Sequence, residues 1–378
     1  MEEVNFKQYN GYCIYSNSIS LETCTEVFYI STLELIYFYF EDLSSTLLQT
    51  YGINTINLLC DSTLRNQIIP SFDTYQKAKN PRGNKTIKKT GKINLFLTPV
   101  VMNKIKRNPV IYKLLANLYG NVKLAFTNGL DPIIYKSKLS EEYPATIDCK
   151  LFQPLESFNG EENPFHYCCF VCISVYQDQN KSVKDYGEIS LLENFDFHYD
   201  FIKSLIAPKG KYPIEKQKKG ADFNLLENFN IDAINNEIVM RMKLKRGQQI
   251  PEDARLLKWV AINLKPGDIL VFDCRVPYKI AKNLTDVPAI YIPVSLRPIT
   301  PNWYKSQNHS NLLNSVKNGK VGDWNKRTFK DCNLDEYHWR TNKDCPPFAK
   351  LENCINLGDF KETDNLIFGL NDSDLPKN

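Results

Sequence analysis

Apolar residues along this chain recur with two different periods, and each period predicts a different kind of element. Between residues 101 and 120 they fall three or four positions apart, and the run stops at Gly120. This spacing predicts one amphipathic helix that ends at a glycine C-cap. A second run with helical spacing extends from Leu33 to Leu47.

Downstream of Val122 the apolar runs become short, rich in β-branched and aromatic residues, and separated by turn signals. Such runs are typical of strands. The predicted strands are 133–135, 165–175, 189–192, 261–264, 269–272 and 290–296. Because no helices alternate regularly with them, the pattern favours a sandwich or jelly roll over a Rossmann-type sheet. We therefore expect a mainly β fold with flanking helices (α+β).

The same pattern divides the chain into three parts. Residues 1–100 are expected to form a mixed, partly helical elaboration, and residues 101–301 the core. Within the core, residues 209–236 are polar, carry a lysine cluster and show little periodicity, so we expect an insertion between strands. Residues 302–378 contain three tryptophans, which predict an extension packed on the core.

Composition narrows the class of protein. The chain has 378 residues, 43% hydrophobic and 24% charged, which is typical of a globular protein. The net charge of +4 does not by itself predict a polyanionic partner. The apolar runs are shorter than the roughly 20 residues of a membrane span, and the N-terminus lacks signal-peptide character. We expect a soluble, intracellular protein, cytoplasmic or, if the source is a virus, virion-associated.

The segment from Leu264 to Tyr278 carries the most information. Its Pro266-Gly267-Asp268 sequence predicts a turn that begins a strand, because proline and glycine supply the backbone angles that such a turn needs. The predicted strand leads to Arg275-Val276-Pro277-Tyr278, and Asn283-Leu284-Thr285-Asp286 predicts the next turn.

This order of motifs resembles the last part of the double-stranded β-helix (jelly roll) in phytanoyl-CoA dioxygenase-like proteins. There a Pro-Gly-Asp turn precedes a strand, an Arg-Leu-Pro-His segment and an Asn-Thr-Ser-Asp-like turn. Residues 108–120 and 187–198 are also similar to segments of that family, so the resemblance covers about residues 101–301. It implies a jelly-roll core and, in an active member, Fe(II) and 2-oxoglutarate as cofactors.

Two of the three metal ligands that the chemistry requires, and the arginine that pairs with 2-oxoglutarate, are replaced at the matching positions. Such oxygenases hold iron with two histidines and one carboxylate. The resemblance places the first histidine at Thr146, the carboxylate at Asp148 and the second histidine at Tyr278. A phenol, with a pKa of about 10, is a poor substitute for neutral imidazole. The arginine that pairs with 2-oxoglutarate falls near Ala289, which has no charge.

Two other groupings compete with this interpretation. His198-Tyr199-Asp200 has the His-x-Asp spacing, and His309 follows downstream, so an alternative metal triad can be written from His198, Asp200 and His309. The neighbouring phenylalanines favour a structural histidine instead. Cys169-Phe170-Val171-Cys172 lies within an apolar run, which favours buried thiols over a zinc or redox site.

Three functions are consistent with the sequence. The first is a catalytically degenerate member of the family, without a cofactor, that acts as a binding or structural module for a protein partner or a larger assembly, for example a viral one. The second is an active Fe(II)/2-oxoglutarate-dependent hydroxylase with an altered ligand set. The third is a nucleic-acid-binding protein that uses the lysine-rich segments 77–92 and 209–219.

Overall fold

A computed structural model describes the strands, turns and helices that form the core. The described residues are 5–9, 12–28, 92–93, 101–120, 123–126, 133–136, 142–146, 167–177, 185–206, 230–246, 255–294, 296–299 and 309–310. The strands are β1 (Asn5–Tyr9), β2 (Tyr12–Ser16), β3 (Lys92–Ile93), β4 (Leu124–Phe126), β5 (Ile133–Lys136), β6 (Tyr143–Thr146), β7 (Tyr167–Ser174), β8 (Ile189–Glu193), β9 (Lys258–Ile262), β10 (Ile269–Asp273), β11 (Tyr278–Ile280), β12 (Ala289–Pro293) and β13 (Leu296–Pro298). The helices are α1 (Pro109–Leu118), α2 (Tyr199–Ile206) and α3 (Ile231–Arg246), with a π-helical segment at Val101–Lys106 and helical residues 21–28.

Two antiparallel sheets face each other. The major sheet has the order β1-β2-β10-β7-β12-β5-β3, and the minor sheet has the order β6-β11-β8-β9. Going along the chain, β5, β7, β10 and β12 lie in the major sheet, while β6, β8, β9 and β11 lie in the minor one. Eight consecutive strands thus wind between two sheets, which is the architecture of a double-stranded β-helix. The expected fold class is confirmed.

The core lies between the sheets and follows strand alternation. On β7, Cys168, Phe170 and Cys172 belong to the buried cluster that joins the two sheets. On the neighbouring β10, Leu270 and Phe272 belong to the same cluster. Because successive side chains of a strand point to opposite faces, the intervening residues pack on the outer side of the major sheet.

The first hundred residues take part in the core sheet. The β1–β2 hairpin pairs with β10, and β3 pairs with β5, so both edges of the jelly roll's major sheet are extended by N-terminal strands. A sheet edge presents unpaired N–H and C=O groups, which such strands satisfy. The expected elaboration at residues 1–100 therefore includes part of the major sheet, while the helix expected from Leu33 to Leu47 lies outside the described residues.

The single helix predicted at residues 101–120 is divided in two. The π-helical segment ends at Lys106, and α1 begins at Pro109. Proline lacks an N–H and is favourable at a helix start, and the Asn108 side chain caps α1 by accepting a hydrogen bond from Val110 N at 2.9 Å. Gly120, with φ of 77°, follows the helix as predicted.

Two other predictions differ from the structure. Residues 209–236 were expected to be an aperiodic insertion, but α3 begins at Ile231, and its Ile234 and Ile238 pack with Leu192 in a second buried cluster. The apolar run 290–296 was expected to be one strand, but it is divided between β12 and β13, which lie in different sheets. Tertiary pairing, which local pattern does not contain, decides both.

Candidate functional site

The barrel has two ends with different chemistry. We call the end where the resemblance places metal ligands the ligand end; it comprises the end of β6, the start of β7, the end of β8 and residues 273–278. We call the opposite end the turn end; it comprises Lys136, Gly187, residues 266–268 and residues 281–289.

Two of the positions matched to metal ligands are neighbours at the ligand end. Thr146, the last residue of β6, and Tyr278, the first residue of β11, are Cα partners in the antiparallel ladder. Tyr278 also pairs with Leu191 on the other side. Two histidines at these two backbone positions would lie on adjacent strands, as a shared metal ion requires. Asp148 lies outside the described residues.

Aromatic rings fill the interior beside Tyr278. The Tyr278 ring centroid lies 5.4 Å from that of Phe170, 5.6 Å from that of Phe272 and 6.0 Å from that of Tyr143. All four side chains are buried. We call them the ring cluster. Aromatic pairs at these distances are favourable beyond their buried area. The space between the sheets at the ligand end is therefore occupied by side chains.

A partly buried ion pair between Arg275 and Asp273 stabilises the turn that precedes Tyr278. Arg275 donates from Nε to Asp273 Oδ1 at 2.9 Å and from Nη2 to Asp273 Oδ2 at 2.6 Å. The backbone N–H of Arg275 donates to the same carboxylate at 2.8 Å. This carboxylate raises the pKa of Arg275. The guanidinium also lies over the Tyr199 ring at 5.3 Å, so the turn is connected to α2.

The segment that follows α1 covers the start of β7 at the same end. The Tyr119 hydroxyl accepts a hydrogen bond from Tyr167 N at 2.9 Å, and the two rings meet edge to face at 5.0 Å. Burial is the main cause that raises the pKa of Tyr167, and Asp273 raises it further. The described part of the ligand end thus includes several phenols and the carboxylate-guanidinium pair of Asp273 and Arg275.

At the turn end, Asn283 ties the β11–β12 connection to β5. Its buried side chain donates to Lys136 O and to Val287 O, both at 2.8 Å. Its Oδ1 accepts from Thr285 N at 2.9 Å and from the Thr285 hydroxyl at 2.8 Å. An amide group is the side chain that supplies donors and an acceptor together. The Asn283-Leu284-Thr285-Asp286 motif is therefore a structural turn.

Two glycines at the turn end occupy conformations that other residues rarely adopt. Gly187 has φ of 81°, and a Cβ there would lie 2.7 Å from Ala289 Cβ. Gly267 has φ of 92°, and a Cβ there would lie 2.3 Å from Ile19 O. The buried Asp268 accepts hydrogen bonds from Asn17 N and Lys265 N. Pro266-Gly267-Asp268 thus joins the N-terminal hairpin to the barrel, as well as beginning β10.

The structure places a lysine beside Ala289 that counting along the chain does not find. Ala289 is the Cα partner of Lys136, the last residue of β5. Lys136 is fully buried, and by strand alternation it shares the interior side of β5 with Ile134. Arg297, the next arginine along the chain, lies instead on β13, which pairs with β4 in a separate sheet.

The structure does not bring His198, Asp200 and His309 together as one group of metal-ligand type. Among the described residues no group of three or more His, Cys, Asp or Glu side chains converges in a way that could hold a metal ion. The ring of His198 is buried, and its Nε2 lies 3.0 Å from Arg255 O. Asp200 lies in the first turn of α2, and the side chain of His309 is buried.

The remaining sequence features are the cysteines, the lysine-rich segments and the apolar runs. Cys169 and Cys172 are buried free thiols, and burial raises the pKa of Cys169 to about 12. The lysine-rich segments fall mainly outside the described residues. In the part of the chain that the structure describes, no helix has both the length and the apolar character needed to cross a membrane.

Comparison with known proteins gives distant structural matches only. No family model matches the chain, and no curated protein matches it. EctD from S. alaskensis in its apo form is 10% identical, with 76% of this chain and 73% of that chain covered and a TM-score of 0.35. The α-ketoglutarate-dependent epimerase SnoN from nogalamycin biosynthesis is 13% identical, with 53% and 58% covered and a TM-score of 0.29. The carbocyclase SnoK is 10% identical, with 61% and 81% covered and a TM-score of 0.29.

The matched parts are limited in extent. The chain spans 58% of the length of SnoN and 31% of the length of EvdMO1, another of the matched structures. At these identities and TM-scores the matches assign no activity to this chain. The fold class rests on the strand order and the two facing sheets described above.

Sequence reasoning missed most of the ring cluster and Lys136. The signal for Phe170 was its even spacing with Cys168 and Cys172 along a predicted strand, and Phe272 has the same relation to Leu270. The signal for Lys136 was its spacing of two from Ile134, which places a charged residue on the interior side. Neither signal says which other strand lies opposite, so the contacts themselves were not predictable.

Proposed function

We propose that this protein is a binding or structural module built on the double-stranded β-helix of the Fe(II)/2-oxoglutarate oxygenases, and that it works without iron. The observation that carries the proposal is the pairing of Thr146 with Tyr278 at the ligand end, beside the ring cluster. We further propose that the protein binds an intracellular protein partner or belongs to a larger assembly, and that it uses no cofactor.

The donor chemistry at these positions does not fit Fe(II). Iron of this class is held by two neutral imidazoles and a carboxylate. A threonine hydroxyl is a weak ligand, and a phenol binds well only after it loses a proton that it normally keeps at pH 7. At two of the three matched positions the residue type is therefore unsuitable.

Packing at the ligand end supports the same proposal. The Phe170, Phe272 and Tyr143 rings lie within 6.0 Å of the Tyr278 ring, centroid to centroid. A bound 2-oxoglutarate and iron would need a polar space there, and moving these rings would expose apolar area to water. The packed interior is thus better explained as a core than as an entrance for a cofactor.

The retained residues support a scaffold role. Gly187, Gly267 and Asn283 shape the backbone at the turn end and contribute no group to redox chemistry. A fold can persist after its chemistry is lost, because function depends on the site and not on the scaffold. Selection for a stable scaffold alone is consistent with this pattern.

An anaerobic Fe(II) titration of the full chain, with and without 2-oxoglutarate, tests the proposal. We expect no stoichiometric binding by calorimetry and no 2-oxoglutarate-dependent absorption band. We also expect no succinate above the rate seen without protein when oxygen is admitted. Stoichiometric Fe(II) binding together with succinate formation would overturn the proposal.

A pair of histidine variants tests whether Thr146 and Tyr278 mark the former ligand positions. The double variant Thr146→His/Tyr278→His restores two imidazoles on adjacent strands, so we expect it to bind Co(II) more tightly than the unmodified protein. The matched control is Thr146→His/Lys279→His, because residue 279 points to the opposite face of β11. Equal Co(II) binding by both variants would contradict the assignment.

Lys136 favours a second candidate function, an oxygenase with an altered ligand set. Its amine-bearing side chain is buried opposite Ala289, where the resemblance expects the arginine that pairs with 2-oxoglutarate. This candidate predicts metal-independent binding of 2-oxoglutarate that is lost in Lys136→Met and kept in Lys279→Met. Absence of binding in the unmodified protein, with intact folding by circular dichroism, excludes it.

A further inference from the structure

Phe197 and the adjacent residues Arg255 and Leu256 are exposed on two segments that lie side by side next to the ligand end. Phe197, in the turn between β8 and α2, is 56% exposed, and Leu256, just before β9, is 40% exposed. The guanidinium carbon of Arg255 lies 4.4 Å from the centre of the Phe197 ring. The Asn194 side chain donates to Leu256 O at 3.0 Å, which holds the two segments side by side.

The backbone of Arg255 is held in an unusual conformation. Its φ is 46°, in the left-handed region that residues with large side chains rarely adopt. The ring of His198 fixes this conformation from one side, because its Nε2 hydrogen-bonds Arg255 O at 3.0 Å. The same ring meets Phe197 edge to face at 4.9 Å. Strained residues persist where the surrounding structure holds them, and they concentrate at functional sites.

The guanidinium of Arg255 is exposed and is not neutralised. Arg275 is paired with Asp273 and Lys258 with Glu193, but among the described residues no carboxylate pairs with Arg255. Its donors are therefore available to a partner. A guanidinium stacked on an aromatic ring loses little conformational freedom when it binds, since the stacking already orients it.

We propose that Phe197, Arg255 and Leu256 form a docking surface for a protein segment that presents an apolar side chain next to a carboxylate. The exposed ring and leucine match the apolar side chain, and the unneutralised guanidinium matches the carboxylate. Aromatic residues and arginine are the types most enriched at the centres of protein interfaces. This docking surface rests on the proposed function in one respect, that the protein acts by binding a partner.

A protein segment fits these residues better than a nucleic acid does. The guanidinium covers one face of Phe197, and the His198 ring contacts it edge to face, so a base cannot stack on that face. The exposed Leu256 offers nothing to a phosphate.

Selection from a phage-displayed library of random dodecapeptides on the immobilised full chain tests the surface. We expect enriched peptides that share an apolar residue within a few positions of Asp or Glu. Synthetic copies are then titrated by fluorescence anisotropy. Phe197→Ala and Arg255→Glu are expected to weaken binding by about tenfold or more, as for residues at an interface centre.

Two controls separate docking from general effects. Leu284→Ala removes a leucine of similar exposure, 49%, at the turn end, and we expect less than about a twofold change in affinity. Arg241→Glu makes the same charge change on α3, where Arg241 covers the Phe201 ring at 4.2 Å. An equal loss in Arg241→Glu and Arg255→Glu would show a general charge effect and overturn the proposal.

Arg255→Gly distinguishes a docking residue from a structural one. Glycine adopts a positive φ without strain, so this variant is expected to keep or raise the melting temperature while losing peptide affinity. A fall in melting temperature with unchanged affinity would overturn the proposal. Failure to enrich any peptide, enrichment without acidic residues, or tighter binding of a single-stranded DNA 20-mer than of the peptides would overturn it as well.

These outcomes are independent of the iron titration. Peptide binding that fails in a protein without Fe(II) affinity contradicts the docking surface and leaves the proposed function standing. Stoichiometric iron binding in a protein that also binds the peptides contradicts the proposed function and leaves the surface standing.

Discussion

At the turn end of the barrel, Gly187, Gly267 and Asn283 occupy positions that few other residue types can fill, whereas at the ligand end Tyr278 and its neighbours are held by packing. The turn end depends on backbone conformation and hydrogen bonds to main-chain atoms. The ligand end depends on ring contacts. The difference teaches that backbone conformation restricts the residue types at the turn end, whereas side-chain packing restricts those at the ligand end.

The largest expected effect comes from emptying the ring cluster. Tyr278→Ala removes a fully buried ring and leaves a cavity among Phe170, Phe272 and Tyr143, so we expect the free energy of unfolding to fall by about 3–5 kcal/mol. Tyr278→Phe keeps the ring and is expected to cost much less. Urea denaturation followed by circular dichroism measures both. A small effect of Tyr278→Ala would mean that the ligand end is not a packed core.

A glycine substitution at the turn end sharpens the comparison. Gly267→Ala combines a strained φ of 92° with a Cβ that would lie 2.3 Å from Ile19 O, so we expect a loss of about 2–4 kcal/mol. The matched control is Gly120→Ala, which has φ of 77° but nothing within 4 Å of the new Cβ. It should lose only about 1 kcal/mol, from the backbone alone. Equal losses of unfolding free energy in the two variants, measured by thermal or urea denaturation, would contradict the close approach of Gly267 to Ile19 O.

The Asn283 side chain offers a test with a smaller effect. Asn283→Asp keeps the acceptor for Thr285 but loses the donors to Lys136 O and Val287 O, so two carbonyl groups lose their partner. We expect a loss of about 1–3 kcal/mol in the free energy of unfolding at pH 7. Protonation of the new carboxyl at low pH restores one donor, and part of the stability should return there. No difference between pH 7 and pH 4, measured against the unmodified protein, would contradict this account.

The smallest expected effect comes from two buried thiols, that of Cys169 on β7 and that of Cys24 in the helical residues 21–28. Burial raises the pKa of Cys169 from 9.0 to about 12 and that of Cys24 to about 11. Because both folded pKa values exceed the unfolded ones, the contribution to stability is complete below about pH 9 and is lost as pH rises toward 11–12. By pH 10 the loss from Cys169 is on the order of 1 kcal/mol. Urea denaturation midpoints measured at pH 8 and pH 10 check this loss of stability. Cys169→Ala should reduce the difference between the two midpoints.

Much of the fold could be predicted from the sequence. The strand at 269–272, the turns at residues 266–268 and 283–286, and the choice of a sandwich or jelly roll all follow from short apolar runs with turn residues between them. The family resemblance narrowed this choice to a jelly roll. The signals are local, because Pro, Gly and Asn restrict or permit particular backbone angles wherever they stand. The break at Asn108-Pro109 had the same kind of signal, although one helix was expected there.

The candidate site could be predicted only in part. The resemblance paired Thr146 with Tyr278 as ligand positions, and the register of β6 with β11 makes them neighbours. Lys136 was missed because it is close to Ala289 only across a strand pair, far apart along the chain. Arg255 was missed for a similar reason: its φ and its contact with Phe197 depend on how the segment before β9 meets the turn after β8.

By itself the sequence determined the alternation of apolar and polar residues, the turn chemistry and the residue types at the matched ligand positions. The tertiary structure alone decided that four rings fill the ligand end, that a lysine is buried opposite Ala289 and that Arg255 lies over Phe197. The physical reason is the range of the interactions. Backbone angles and strand period act between near neighbours, while burial and ring contacts join residues that only the pairing of distant strands brings together.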